Sequence, residues 1–339
     1  MVGRNAPIKV VIPAFRALRT IRECALAILA SRPRLDPEIV VVDDGENPGL
    51  ENTLRGLPVA IIRTGSSGSA AIARNIGCKG FCTGILVFVD ADVVVEPACL
   101  STLIKPILDG DAAASIGNYS RDTAGLNFGA KYKQLYISRI YDRRSGDLKN
   151  DYWTAVGAID AASFHALGGF DPRFKGACGE DGDLGLRLTA AGYRIAGVPE
   201  ARARHSHPIG LRALFRNDWR KGLAALRAHD KSGGALSENK HATARDVVSV
   251  ALSIALIGAI LATPVVGQRP APLVLLLYLA ARADVIRVLL SGGVWFTLRA
   301  VWLMLALDHL RFACVALCAS ERLPLLSNRV RLPRRTHHA

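Results

Sequence analysis

An uninterrupted apolar run followed by two aspartates constrains this chain more than any other stretch. Ile85–Val89 is rich in β-branched residues, the pattern of a strand covered on both faces, and Asp90-Ala91-Asp92 follows it directly. Residues two apart in an extended segment point the same way, so both carboxylates can emerge together at the carboxyl end of the strand. Two like charges held that close favour a cation between them, and carboxylate oxygens suit Mg²⁺ or Mn²⁺. The alternative, two solvated turn residues, is disfavoured by the buried strand before them.

Apolar strands and amphipathic helices alternate in front of this stretch. Strands are predicted at Val10-Val11-Ile12, Ile39–Val42 and Val59–Ile62, with a helix at Arg19–Ala30. The alternation predicts an α/β fold, a mostly parallel sheet flanked by helices. The first strand is expected to end at proline, which lacks the donor that a central strand needs. Ligands of such sheets bind beyond the carboxyl ends of the strands. The residues predicted to gather there are Pro13, Asp43, Asp44, Asp90 and Asp92.

The composition narrows the classes of partner and site. Lys and Arg number 43 against 29 Asp and Glu, a formal net charge of +14 that favours anionic partners such as phosphorylated substrates or acidic lipid headgroups. The basic residues form no stripe interleaved with aromatics, so no nucleic acid partner is expected. The seven cysteines are scattered without paired Cys-x-x-Cys spacing, which fits neither a disulfide framework nor a zinc site.

Four motifs in a fixed order give the chain a family resemblance. They are VVIPAF, VVVDDGE, ARNIG followed by FVDADV, and GGFDPRF followed by EDGDLGLRLTAAGY. With these motifs, residues 8 to about 205 resemble a family 2 glycosyltransferase. The resemblance implies the GT-A (Rossmann-like) fold, a nucleotide-diphospho sugar as donor, a divalent metal, and inversion at the anomeric carbon.

The reaction implied by the resemblance accounts for the acidic residues. A sugar leaves a nucleoside diphosphate only if the growing phosphate charge is stabilised, which bound Mn²⁺ or Mg²⁺ does without proton transfer. By resemblance, Asp92 is a metal ligand, and Asp90 contacts the ribose or a metal-bound water. Asp43 or Asp44 is expected to accept a hydrogen bond from the nucleobase. Arg74 is expected beside the base or the diphosphate, with a solvated helix arginine as the alternative.

Inversion requires a base that takes the proton of the acceptor hydroxyl, and Asp181 is the candidate. It opens a predicted amphipathic helix that Gly192 ends. A helix N-terminus favours negative charge and would keep the carboxylate ionised. Two alternatives remain at this point: Asp181 or Asp183 merely caps the helix, or Glu180 is the base.

A histidine pair follows a strand-like stretch in ARARHSHP. Some relatives use a histidine here as a further metal ligand, and imidazole is acceptable to Mn²⁺. His205 is the predicted ligand, with His207 as the other possibility and a water-satisfied loop histidine as the alternative to both.

The composition changes beyond Asp246, which predicts three regions: a catalytic domain at 1–240, membrane helices at 241–320 and a basic tail at 321–339. Val247–Gln268 carries no charge and is long enough to span a bilayer. Ala271–Leu290 is predicted as a second span. Trp295–Cys318 reads as a third span or an interfacial helix.

The charges near the ends of the chain predict its orientation in a membrane. Met1–Lys9 lacks an apolar segment, so no cleaved signal peptide is expected and the catalytic part stays in the cytosol. The positive-inside rule places the arginine-rich tail there as well. The arginines of the tail are Arg322, Arg329, Arg331, Arg334 and Arg335. We therefore expect a protein of the inner or plasma membrane with a cytosolic catalytic domain.

Together these features predict an inverting, metal-dependent glycosyltransferase for polysaccharide or glycolipid biosynthesis. The expected acceptor is a hydroxyl of a lipid-linked or membrane-proximal glycan. A polyprenyl-phosphate glycosyltransferase is the alternative, since a phosphate acceptor needs no strong base. An inactive nucleotide-sugar-binding membrane scaffold is the more remote one.

Overall fold

The computed structural model describes residues 6–31, 36–45, 47–176, 179–206, 208–231 and 244–329. His207 and the arginines beyond residue 329 lie outside these ranges. The chain divides into two compact units, Met1–Ile209 and Gly210–Ala339. This division falls ahead of the domain boundary predicted at residue 240.

Nine strands form one mixed sheet in the described part of the N-terminal unit. They are β1 (Ile8–Ala14), β2 (Glu38–Asp43), β3 (Ala60–Arg63), β4 (Ile85–Val89), β5 (Val93–Val95), β6 (Ala114–Tyr119), β7 (Gly146–Leu148), β8 (Val156–Asp160) and β9 (Ile195–His205). Their order is β3-β2-β1-β4-β8-β6-β9-β5, and β7 also pairs with β9. The run β3-β2-β1-β4 and the pair β6 with β9 are parallel, whereas β8, β5 and β7 pair antiparallel. The α/β class is confirmed.

Helices cover both faces of this sheet because strand side chains alternate between them. The helices are α1 (Ile21–Ala30), α2 (Leu50–Leu54), α3 (Ala70–Cys78), α4 (Cys99–Leu108), α5 (Phe128–Asp142), α6 (Ala161–Ala166) and α7 (Glu180–Ala190). Val10, Ile12 and Val87 pack on the face covered by α1 and α4. Val11 and Phe88 pack on the opposite face, with α3 and α7. Each such buried side chain contributes about 1.5–3 kcal/mol, which fixes the strand ends that carry the acidic residues.

Pro13 lies inside β1, which corrects the prediction that the strand ends there. The carbonyl of Ala14 accepts a hydrogen bond from the Asp44 amide at 2.9 Å, so Ala14 faces β2 and Pro13 faces the other side. On that side, pairing with β4 stops at Val11 opposite Phe88. The donor that proline lacks therefore falls beyond the end of the β4 ladder, where no partner strand requires it.

The C-terminal unit is helical. Its helices are α8 (Leu211–Lys231), α9 (Ala244–Leu261), α10 (Thr263–Val266), α11 (Pro270–Ala281), α12 (Ala283–Leu289) and α13 (Val294–Arg329), with a 3₁₀ turn at Leu290–Gly292. Among the described residues, two helices are long and apolar enough to cross a membrane. They are Ala244–Leu261 and Val294–Glu321, with mean hydropathies of 1.9 and 1.7.

The first two predicted spans are interrupted. The run Val247–Gln268 breaks after Leu261, and Pro264 lies in the first turn of the helix that follows. The run Ala271–Leu290 breaks at Arg282 into helices of 12 and 7 residues. The longer of these extends about 18 Å, less than the roughly 30 Å of a hydrocarbon core. The third apolar region, by contrast, lies within the single continuous helix α13.

A buried ionic cluster joins three helices of this unit, and we call it the Arg282 cluster. Arg282 Nη2 donates to Asp308 Oδ1 at 2.6 Å and Arg282 Nε donates to Asp308 Oδ2 at 3.2 Å. Tyr278 donates its hydroxyl to Asp308 Oδ2 at 2.9 Å, and Arg311 Nη1 pairs with Asp308 Oδ1 at 2.7 Å. Arg282 also pairs with Asp246. Arg282 is only 1% exposed, so its charge is compensated by protein carboxylates and not by water.

Candidate active site

A cavity of about 480 Å³ opens at the carboxyl ends of β1 and β4. The predicted residues that line it are Pro13, Asp44, Arg74, Asp90 and Asp92. The first strands of the sheet are parallel, so their acidic ends meet at the same edge, as the sequence predicts. Asp43, Asp181 and His205 are not among the residues that line this cavity.

Asp92 and His205 lie side by side although 113 residues separate them in sequence. His205 Nε2 is 3.2 Å from Asp92 Oδ2. The pairing of β5 with β9 sets this distance, because it places Val93 opposite His205. The Ser206 amide donates to the Asp92 carbonyl at 2.8 Å and the His205 amide donates to Gln134 Oε1 at 3.0 Å. A carboxylate oxygen and an imidazole nitrogen are thus held together by backbone structure.

The Asp92 and His205 pair fits the metal that the resemblance implies. Two neighbouring ligands on an octahedral Mg²⁺ or Mn²⁺, each about 2.1 Å from the ion, lie about 3 Å apart. The observed 3.2 Å matches that spacing. Among the described residues, no group of three or more His, Cys, Asp or Glu side chains could hold a metal. An ion that binds substrate phosphates usually keeps several coordination positions for water and phosphate oxygens, so two protein ligands are compatible with such a site.

Arg74 bridges two carboxylates at the inner wall of the cavity. Its Nη2 is 2.8 Å from Asp90 Oδ1 and its Nη1 is 2.8 Å from Glu180 Oε1. Burial lowers the pKa of Arg74, but the two carboxylates outweigh this effect and raise it. Burial also raises the pKa of Asp90; Arg74 opposes that shift and Asp92 adds to it. Arg74 is therefore not a solvated surface arginine, because its two terminal nitrogens are tied to the acidic tip and to α7.

The aspartate pair at the end of β2 orders two neighbouring loops. Asp44 Oδ1 accepts from the Ser67 amide at 2.8 Å, Asp44 Oδ2 accepts from the Ser69 amide at 3.0 Å, and the Thr64 hydroxyl also donates to this carboxylate. Asp43 accepts from the side-chain amide of Asn47, which holds the turn after β2. Only Asp44 of the pair lines the cavity.

Asp181 occupies the first turn of α7, but it is not the helix cap. The N-cap residue is Gly179, with φ of 94°, and no side chain caps the helix there. Asp181 Oδ1 accepts a hydrogen bond from the Gly182 amide at 2.7 Å. Asp183 is paired with Arg187 one turn along at 2.7 Å. Neither aspartate is the N-cap residue, but Asp181 accepts from an amide of the first turn, and its carboxylate lies at the positive end of the helix dipole.

Sequence reasoning missed the contacts that α3 makes with the segment before α7. Asn75 Nδ2 donates to the Phe170 carbonyl at 2.7 Å, and the Phe170 amide donates to Asn75 Oδ1 at 2.9 Å. The signal was present as Gly168-Gly169, since both glycines take positive φ, at 77° and 71°. A left-handed glycine pair before Phe170 indicates a backbone shaped for a close contact.

Comparison with known proteins agrees with this geometry. Residues 9–166 match the model of Glycosyl transferase family 2, and residues 144–208 match a model described as the N-terminal domain of galactosyltransferase. Over these residues the chain is similar to family 2 glycosyltransferases, and the resemblance drawn from the motifs is confirmed.

Several characterised glycosyltransferases are similar to this domain. The pre-mycofactocin glycosyltransferase of Mycobacterium tuberculosis is 29% identical over 216 residues, covering 58% of this chain and 46% of that protein. Glycosyltransferase GlyA of Streptococcus pneumoniae is 25% identical over 199 residues, covering 53% of this chain and 28% of that protein. The chain thus spans less than half the length of these relatives. The crystal structure of GalNAc-T7 with UDP, GalNAc and Mn²⁺ is 17% identical with a TM-score of 0.49, covering 65% of this chain and 50% of that one.

Proposed function

We propose that the chain is an inverting, metal-dependent glycosyltransferase that moves a sugar from a nucleotide-diphospho sugar to a hydroxyl of a lipid-linked or membrane-proximal glycan. The observation that carries the proposal is the pairing of Asp92 with His205 beside a cavity lined by Asp44, Arg74 and Asp90 in a family 2 domain. These residues supply metal ligands and polar groups at the edge of the sheet where α/β enzymes bind nucleotides.

The cavity is the proposed donor site. Its volume of about 480 Å³ lies in the range of roughly 300–1,000 Å³ usual for small-molecule sites. Pro13 and Asp44 line the cavity and would lie beside the nucleobase, and Arg74 and Asp90 line it as well. Asp43 would act indirectly: its contact with Asn47 shapes the turn beside Asp44, which itself lines the cavity.

Asp92 and His205 are the proposed protein ligands of Mn²⁺ or Mg²⁺. When bound, the metal stabilises the negative charge that grows on the leaving diphosphate. The contributions of the chain are to hold a hard oxygen and an imidazole 3.2 Å apart and to fix the backbone of both residues. Tyr119 packs edge-on against the His205 ring, with centroids 5.8 Å apart, and restrains its rotation.

Asp181 is the proposed base. It would accept the proton of the acceptor hydroxyl as the oxygen attacks the anomeric carbon, while the nucleoside diphosphate departs from the opposite face. The first turn of α7 favours the ionised carboxylate that this role needs. Glu180 is less suited to the role, since it is 3% exposed and paired with Arg74.

The C-terminal unit is the proposed membrane anchor. Ala244–Leu261 and Val294–Glu321 are long and apolar enough to span, and many of the large apolar side chains in this unit are exposed. The exposed basic residues of α8 recur on one helix face, as suits the anionic headgroups of an inner or plasma membrane. They are Arg212, Arg216 and Arg220, spaced four residues apart along α8. Anchoring would concentrate the enzyme at its acceptor, with the catalytic domain in the cytosol.

Thermal unfolding with a panel of UDP-, GDP- and TDP-sugars, with and without Mn²⁺, tests the donor and metal assignments. A sugar nucleotide at 100 times its Kd stabilises the fold by about 2.7 kcal/mol, which raises Tm by about 5–11 °C for a domain of this size. We expect the Mn²⁺-dependent part of the shift to vanish in Asp92→Asn. Asp109→Asn, which removes an exposed partner of Lys105 on α4, is the control. A full Mn²⁺-dependent shift in Asp92→Asn would rule out the metal assignment.

A further inference from the structure

The segment that leads into α7, residues 168–176, is held by α3 and by the loop before it. We call this segment the approach loop. Asn75 contacts both the carbonyl and the amide of Phe170, at 2.7 and 2.9 Å. One side chain thus fixes both backbone polar groups of one residue, as a neighbouring strand would.

Further contacts repeat this attachment along the approach loop. Ser69 donates its hydroxyl to the Phe174 carbonyl at 2.7 Å. The Ala70 amide donates to the Gly176 carbonyl at 3.0 Å, and the Gly176 amide donates to the Gly68 carbonyl at 2.9 Å. The approach loop therefore follows the position of α3, although about 95 residues separate them in sequence.

The approach loop is shaped for its contact with Asn75. Gly169 has φ of 71°, and a Cβ added there would lie 2.7 Å from Asn75 Oδ1 and 3.2 Å from the Phe164 ring. Any larger residue would push the asparagine away from Phe170. The glycine is therefore required both by its backbone conformation and by the closeness of Asn75.

We propose that Asn75 is a positioning residue for the catalytic base, an inference that rests on the function proposed above. Asn75 is absent from the lining of the donor cavity. The approach loop that Asn75 holds leads into α7, which carries Asp181. Arg74, the neighbour of Asn75 on α3, ties Glu180 to Asp90. The helix α3 thereby sets the distance between the acidic tip that faces the donor and the first turn of α7. Because a displacement of about 1 Å can reduce a rate by about 100-fold, this attachment controls transfer without touching the substrate.

The test compares Asn75→Ala and the isosteric Asn75→Asp, which keeps an acceptor but loses the NH₂ donor, in the full chain. Ser115→Ala is the control, since it removes a buried side-chain hydrogen bond to α4, outside the α3 contacts. The assay is transfer from the radiolabelled nucleotide sugar of the thermal panel, with native membrane vesicles as the source of acceptor. We expect kcat to fall by about tenfold or more, with KM for the donor within about threefold of wild type. A kcat within twofold of the control would overturn the proposal.

A double variant separates a positioning role from a purely structural one. If Asn75 acts through Asp181, adding Asn75→Ala to Asp181→Asn should cause no further loss of transfer. Additive losses would contradict the inference. Normal transfer by Asp181→Asn alone would refute the proposed base. Normal transfer by Asn75→Ala, together with loss of transfer in Asp181→Asn, would refute only the positioning role of Asn75. Hydrogen exchange gives a readout without substrate: the 168–176 and 180–190 backbone should exchange faster in Asn75→Ala than in Ser115→Ala, and equal rates would overturn the proposal.

Discussion

Replacing Arg74 by methionine should destabilise the N-terminal unit more than any exposed ion-pair change. Methionine approximates the volume of the arginine stem but leaves Glu180 without its cation. The Glu180 side chain is 4% exposed, so water cannot replace the guanidinium, whereas Asp90 is 36% exposed and can be rehydrated. The expected loss of stability therefore arises mainly from the Glu180 carboxylate, which stays buried without a cation.

The size of the loss follows from that burial. Breaking a buried pair by removing one partner costs about 3–5 kcal/mol. For a unit of about 200 residues, each kcal/mol lowers Tm by about 2–4 °C, so Arg74→Met should lower Tm by about 6–20 °C. Removing the unpaired charge of Glu180 as well, in Arg74→Met/Glu180→Met, should recover about 2 kcal/mol or more of the free energy of unfolding, because a well-packed apolar pair can replace a buried ion pair.

Thermal unfolding of the full chain in detergent, followed by circular dichroism, measures these shifts. Arg173→Met is the matched control, since Arg173 is 88% exposed and pairs with Asp171 at 2.6 Å. We expect that control to leave Tm close to that of wild type, because an exposed ion pair contributes little to stability. An Arg74→Met variant that melts within 2 °C of the control, or a double variant less stable than Arg74→Met, would refute the reasoning.

Three further predictions follow from the same structure. Asp181→Asn should bind the donor and melt like wild type but lose transfer to a hydroxyl acceptor by about 100-fold or more, because the amide cannot accept the proton; near-normal transfer would favour Glu180 or a phosphate acceptor. A chain ending at Ile209 should be soluble and bind nucleotide. A chain ending near Lys240 should aggregate more, because it keeps α8 but lacks α13, on which α8 packs. Loss of nucleotide binding from the shorter chain would contradict the two-unit division. Reversing the α8 charges should weaken flotation with anionic vesicles but not with neutral ones; equal flotation would remove the headgroup role. The residues changed to glutamate are Arg212, Arg216 and Arg220.

Local pattern was enough to predict the strands and their acidic ends. The run Ile85–Val89 is both the predicted and the observed extent of β4. A short, uninterrupted apolar run rich in β-branched residues is typical of a buried strand. The helix after Gly179 was also predicted, since its apolar spacing and Gly192 define both ends. The convergence of Pro13, Asp44 and Asp90 on one cavity followed from the parallel topology, whereas Arg74 was placed there by the family resemblance.

What the sequence could not supply was the set of partners distant along the chain. Arg74 and Glu180 are 106 positions apart, and no periodicity relates them. The antiparallel strand β8 beside β4 likewise depends on a return of the chain that the alternating pattern of the first strands did not indicate. Pro13 was misjudged for the same reason, because its tolerance depends on where the neighbouring strand stops.

The Arg282 cluster obtains its carboxylates in two steps as the chain is synthesised. Asp246 precedes Arg282, whereas Asp308, which supplies both oxygens of the bidentate pair, follows it by 26 residues. A buried charge that lacks one of its partners costs about 3–5 kcal/mol. The helices α9 and α11 should therefore reach their final packing only when α13 has been made, so that the three helices of the cluster are completed together.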